Sequence, residues 1–155
     1  MPEQIRRVLV AINGIDDAAA IQRWLLAHPF HDPVEMTVLH VVPTLEAYRT
    51  DNSLAHHDRF HENLHEDSVS WGQKLVDNVA AKLSAPPAHA PAGGCYKAHG
   101  QVSSGDPPEV IVEESARQDL VIMASHGFQS AVRFISGSVA QKVLHRVAVP
   151  VLIIG

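Results

Sequence analysis

The chain has 155 residues, 46% of them hydrophobic, 19% charged and 5% aromatic, enough for one domain with a buried core and no room for a second. Lys and Arg number 12 against 17 Asp and Glu, a formal net charge of -5 with histidine neutral; with no basic tract, this argues against binding a nucleic-acid backbone, which draws on cationic contacts. No apolar run approaches the roughly 18–20 residues that span a bilayer, and Met1 to Arg7 runs straight into a short apolar segment with no signal h-region, so the expectation is a cytoplasmic protein without membrane contact.

Val8 to Ile12 is a continuous apolar run of the kind expected of a strand buried on both faces in a parallel sheet. It stops at Asn13-Gly14. Asp16 and Asp17 then stand where acidic residues favour a helix N-terminus, and Ala18, Ile21, Trp24 and Leu25 recur at helical spacing. Pro29 and Pro33 close this unit. Met36 to Val42 is a second buried strand, ended by Pro43. Leu45 to Asp58 is polar and mixed and reads as irregular. From about Arg59 to Ser84, Phe60, Leu64, Trp71, Leu75, Val79 and Leu83 fall on one face of a long amphipathic helix.

Ala85 to Gly94, with three prolines and a Gly-Gly pair, cannot continue a helix and reads as a surface loop. Cys95 to Val102 is a strand with few apolar positions. Asp106-Pro107-Pro108-Glu109 predicts a sharp helix start, with an Asp N-cap, Pro at the first helical position and Glu three residues after the cap; the helix runs to about Gln118. Asp119 to Ala124 is the fourth strand. A loop and one more helix lead to the fifth, Val149 to Ile154. Alternating strands and helices imply a parallel sheet covered on both faces, and in such sheets ligands bind beyond the carboxyl ends of the strands, where the chain order reverses.

Ser125-His126-Gly127 follows the fourth strand, and after nine residues Gly137-Ser138-Val139 opens a helix whose Val139, Val143, Leu144 and Val147 share a side. Glycines at 127 and 137 allow close approach of backbone to a ligand, and Ser138 with the free amides of a first helical turn suits an anion. The plainer alternative is that Gly137-Ser138 only caps a helix and Gly127 only turns a loop. On these residues alone both stand.

The run Met123-Ala124-Ser125-His126-Gly127, the nine-residue gap, Gly137-Ser138-Val139 and the closing Pro150-Val151-Leu152-Ile153 resemble the signature of the universal stress protein family. That pattern is glycine, two residues, glycine, nine residues, glycine, then serine or threonine. Val8 to Ile12, Leu39 to Val42 and Asp119 to Met123 are similar to the family's first, second and fourth strands, so the resemblance covers the whole chain, residues 1–155, as one domain. It implies an α/β, Rossmann-like fold with a five-stranded parallel sheet in the order 3-2-1-4-5 and a homodimer joined through the last strand. It also implies ATP at the switch point, with or without Mg²⁺. Ala11, Asn13 and Val41 would line the adenine pocket; Ala124 and Gly127 would approach ribose and phosphates; Gly137, Ser138 and the amide of Val139 would hold the phosphates.

Three positions depart from the family's pattern: Asn13 replaces an aspartate, Ile15 a serine and Ala124 the first glycine. Asparagine still donates and accepts hydrogen bonds and repels phosphate less than a carboxylate. A methyl at 124 is expected to obstruct the ribose and weaken binding rather than abolish it. Arg133 in the nine-residue gap has the shape for a phosphate, and His126 can hydrogen-bond a ligand; the plainer reading is a solvated arginine and a structural or solvent-facing histidine.

No Walker A loop, no Gly-x-Gly-x-x-Gly after the first strand and no Gly-x-Ser-x-Gly elbow is present, so nucleotide sensing is expected over turnover, with any hydrolysis slow. His57, His61 and His65, four apart on a helix with His56 and Glu62 nearby, have the spacing of a metal chelate or of a solvated, pH-responsive face. Cys95 is the one cysteine, a reactive thiol or an inert, partly buried one; an internal disulfide is impossible. The functional expectation is a dimeric stress-response regulator that binds ATP or another adenine nucleotide and acts on an unknown protein partner. Its rivals are a nucleotide-free interaction module and a slow nucleotide hydrolase.

Overall fold

The computed structural model of the protein describes residues 4–44, 58–85, 96–124 and 133–155, with the backbone alone for 58–64 and 133–138. Five strands, β1 (Arg7–Ala11), β2 (Val34–Pro43), β3 (Tyr96–Gly105), β4 (Leu120–Ala124) and β5 (Val151–Ile154), form one parallel sheet in the order β3-β2-β1-β4-β5. The helices are α1 (Ile15–Ala27), α2 (Asp58–Ser84), α3 (Pro107–Ser115) and α4 (Arg133–Arg146). None of the described helices is long and apolar enough to cross a membrane.

The alternation of side chains along each strand divides the core. Val8, Val10, Met36, Val38 and Ile122 face α1 and α2, where they meet Ala18, Ile21, Leu25, Val76 and Val79. Leu9, Ala11, Leu39, Val41, Val121 and Met123 face the other way, against Ile111 of α3 and Val143 of α4. Both faces of β1, β2 and β4 are therefore buried, which is why these strands are continuous apolar runs.

Several boundaries differ from those expected. β3 continues to Gly105 rather than stopping at Val102, because it pairs along all ten residues of β2. It is an edge strand packed closely by α2: a Cβ on Gly100 would lie 2.6 Å from Val76 Cγ2 and 2.9 Å from the Val76 carbonyl carbon. α3 ends at Ser115, three residues early, as the amides of Ala116, Arg117 and Gln118 turn back to carbonyls three residues behind them. Asp106 is its N-cap, but no side-chain hydrogen bond closes the cap. Asp119 precedes β4 and its carboxylate accepts from the Arg6 and Arg7 amides at 3.0 and 2.8 Å. β5 starts at Val151, two residues late; the Pro150 carbonyl still accepts from the Val121 amide.

Two side chains assigned to apolar faces are half exposed, Trp71 at 47% and Leu144 at 49%, while Val76 and Ala80, adjacent to the expected stripe of α2, are buried. Phe60 and Leu64, Cys95 and the Ala85–Gly94 loop beyond Ala85 lie outside the described side chains.

Candidate functional site

The chain order reverses between β1 and β4, which are neighbours in the sheet although β2 and β3 separate them in sequence. At the carboxyl end of this pair a cavity of about 200 Å³ opens on the α3 and α4 side. Its floor is Ala11, Leu39, Val41 and Met123 from three adjacent strands, its walls are Pro107 and Ile111 of α3 and Val139 of α4, and Ile12, Asn13 and Pro43 form its rim. The floor residues share one face by strand alternation, and the helix residues reach over from above.

Four of the expected site residues, Ala11, Asn13, Val41 and Val139, therefore meet around one space. Ala124 does not: it is 3% exposed in the α1 and α2 core, on the opposite face of the sheet. Its methyl points away from the cavity, so the expected obstruction by that group is removed, and only its backbone is available to the site. Gly127, with Ser125 and His126, lies outside the described residues. Gly137 and Ser138 do not open the last helix; α4 already runs from Arg133, so the amides of Gly137 onward fall within the helical ladder. The side chains of Arg133 and Ser138 are outside the described set.

The rim turn is built by two buried side chains that local sequence reasoning did not single out for this work. Gly14 is the N-cap of α1 in an extended conformation, and Asp17, at the third helical position, returns its carboxylate to accept from the Gly14 amide at 2.7 Å and from the Asn13 amide. Asp17 is 1% exposed. Burial pushes its carboxyl above the ordinary value of 3.8, and hydrogen bonds from the Asn13, Gly14, Asp17 and Ala18 amides pull part of that back. His40 of β2, 6% exposed, donates from Nδ1 to the Ile12 carbonyl at 3.1 Å. The Ile12 amide in turn donates to the Leu39 carbonyl at 2.9 Å.

The residues missed at the site are Ile12, Leu39, Pro43, Pro107, Ile111 and Met123. The signal for Leu39 and Met123 was present: each has the parity of Ala11 and Val41 on its paired strand. Pro107 and Ile111 had none, since nothing local says where α3 lies.

A larger, shallower cleft of about 720 Å³ lies at the amino ends of the strands, among Arg6, Arg7, Glu35, Lys97 and Asp119. Its acidic and basic groups balance, and Asp119 is committed to the backbone of Arg6 and Arg7. Position decides in favour of the smaller cavity, which sits where parallel sheets of this order bind ligands. Among the described residues no group of three or more His, Cys, Asp or Glu side chains is placed to hold a metal ion. Of the histidine run, His65 is described and its Nε2 lies 3.2 Å from Ser104 Oγ; His56, His57 and His61 fall outside the described side chains.

The family model described as the universal stress protein family matches residues 4–155. No curated protein matches the sequence. Among solved structures, the chain is similar to the hypothetical protein MJ0577, with 21% identity over 97% of this chain and 95% of that one and a TM-score of 0.72. It is similar to universal stress protein UspA from Lactobacillus plantarum, with 19% identity over 98% and 99% of the two chains and a TM-score of 0.58. A universal stress protein family protein from Arabidopsis thaliana, solved with AMP bound, shares 16% identity over 96% and 90%, with a TM-score of 0.59. These likenesses establish the fold.

Proposed function

The chain belongs to the universal stress protein family, and from that premise we propose that it binds an adenine nucleotide, ATP foremost, and acts in the cytoplasm as a dimeric sensor in a stress response. The observation that carries this reading is the convergence of Ala11, Asn13, Val41 and Val139 on one cavity at the switch point. A space of about 200 Å³ is below the 300 Å³ or more typical of a whole-ligand site. It fits a purine ring and leaves ribose and phosphates to lie outside, over the end of β4 and the start of α4. The lining suits this: aliphatic side chains for the two ring faces and the Asn13 amide at the rim for an edge. The Arabidopsis relative binds AMP, which adds support for an adenine ligand.

In this reading Ala11, Asn13 and Val41 hold the base. Ala124, by its backbone, and Gly127 approach the ribose and phosphates, while Gly137, Ser138 and the Val139 amide take the phosphates, with or without Mg²⁺. Phosphate binding by the last three asks α4 to open at Gly137 instead of Arg133, a loss of its first turn in the bound form. Nucleotide occupancy of the site presents or hides a surface to a protein partner. The second protomer joins at β5, an edge strand of this sheet whose Ile153 is 38% exposed.

Equilibrium dialysis against millimolar ATP tests the reading, with Ala11→Phe as the control. The phenyl ring introduced by this substitution would fill the base cavity, so uptake by the native chain and none by a folded Ala11→Phe variant is the expected result. No uptake by the native chain leaves the second reading, an interaction module without nucleotide, which the exposed Ile15, 69% accessible where the family carries a serine, favours.

A further inference from the structure

The carbonyl of Ile12 and the amide of Asn13 belong to one planar peptide unit, and each end of that unit is held by a different buried ionisable side chain. His40 Nδ1 donates to the oxygen end and the Asp17 carboxylate accepts from the nitrogen end. Holding both ends fixes the rotation of the plane, and with it the direction in which Asn13 leaves the backbone at the rim of the cavity. Asp17 also caps α1, so its placement has a structural reason of its own. His40 caps no helix: it sits in β2 between Val38-Leu39 and Val41-Val42, where an aliphatic residue would pack.

A carbonyl oxygen only accepts, so Nδ1 carries the hydrogen in this contact. The imidazole is also held from behind. Trp71 of α2 meets it edge to face with ring centroids 5.6 Å apart. Gly72 leaves it room, since a Cβ there would stand 2.6 Å from His40 Cδ2. His40 itself is absent from the cavity lining, one layer back from the rim. We propose that His40 is a positioning residue of the nucleotide site, clamping the Ile12–Asn13 peptide so that Asn13 faces the base. This rests on the reading of the cavity as an adenine site.

The test compares His40→Leu, which removes the donor, with His40→Asn, whose side-chain nitrogen stands the same number of bonds from the backbone as Nδ1 and keeps the donor in place. Amide exchange at Asn13 and Gly14 is followed in the nucleotide-free protein, and the Kd for AMP is measured by calorimetry well below the melting temperature. The expected result is exchange at these amides about tenfold faster in His40→Leu and native in His40→Asn. The Kd should rise about five- to tenfold in the first and stay within about twofold in the second, the range set by one buried carbonyl losing its partner. Should His40→Leu not fold, His40→Met, which also carries no hydrogen-bond donor, takes its place. Unchanged exchange in the donor-less variant overturns the clamp. Faster exchange with an unchanged Kd overturns the positioning role and leaves a purely structural histidine. A native chain that binds no AMP, with exchange still responding to His40→Leu, refutes the adenine site and with it the positioning role, while the clamp is seen to be a feature of the fold.

Discussion

Replacing Asp17 with alanine should lower the melting temperature by about 4–8 °C. The substitution leaves the Asn13 and Gly14 amides without their acceptor. A fully buried donor stripped of its partner costs up to about 3 kcal/mol, but Asn13 is exposed and Gly14 half-buried, so water reaches the freed groups and about 1 kcal/mol each is the appropriate figure. About 2 kcal/mol in total corresponds, for a domain of this length, to the stated shift. Asp17→Asn should do no better: one oxygen still accepts, but the new amide nitrogen points a donor at a donor. The pH dependence carries a sign. Because burial raises the Asp17 pKa in the fold above 3.8, the native state keeps a proton that the unfolded chain has released between 3.8 and the folded value. The contribution of this group is thus smallest at neutral pH and grows as pH falls through that window, so the gap between native and Asp17→Ala protein should widen from pH 7 toward pH 4. Circular-dichroism melts of the three proteins across that range measure it. An alanine variant that melts within about 1 °C of the native protein at every pH refutes the account of the rim turn.

Gly100→Ala should destabilise by about 1–3 kcal/mol in urea unfolding, because the new methyl meets Val76 Cγ2 and the Val76 backbone and α2 must move off β3. Ala124→Gly should leave nucleotide affinity within about twofold of native and lower stability by about 1 kcal/mol, since the methyl it removes packs in the core and not in the cavity. Asp119→Asn should destabilise at neutral pH and become indistinguishable from the native protein in strong acid. The amides of Arg6 and Arg7 and their charges hold this carboxyl below 3.8, so its contribution is present above that value and is lost as pH falls through the lower folded one.

The strands buried on both faces were legible because burial leaves a run such as Val8 to Val10 or Val121 to Met123 without polar interruption. The parallel α/β class followed from their alternation with helices; the order of strands rested on the family resemblance. β3 was hard to place and hard to end for one reason: at the sheet edge only part of its surface is covered, and Gly100 takes the place of a packing side chain. The site was half legible. Ala11, Asn13 and Val41 came, like the strand order, from the family resemblance, which places them at or just past the ends of the first two strands. What Ala124 does depends on which face of the sheet it occupies, and its side chain belongs to the face away from the cavity. The pairing of His40 with Ile12 spans 28 residues and that of Asp119 with Arg6 spans 113, distances over which no local pattern speaks.

The five strands part the interior into two layers, and among the described residues the one under α3 and α4 is the smaller, with the cavity cut into it. A flat apolar guest lodged there becomes the missing piece of that layer. Occupancy and folding are then tied by mass action, and the share of chains that survive heat or proteolysis becomes a gauge of how much of the guest the surroundings contain.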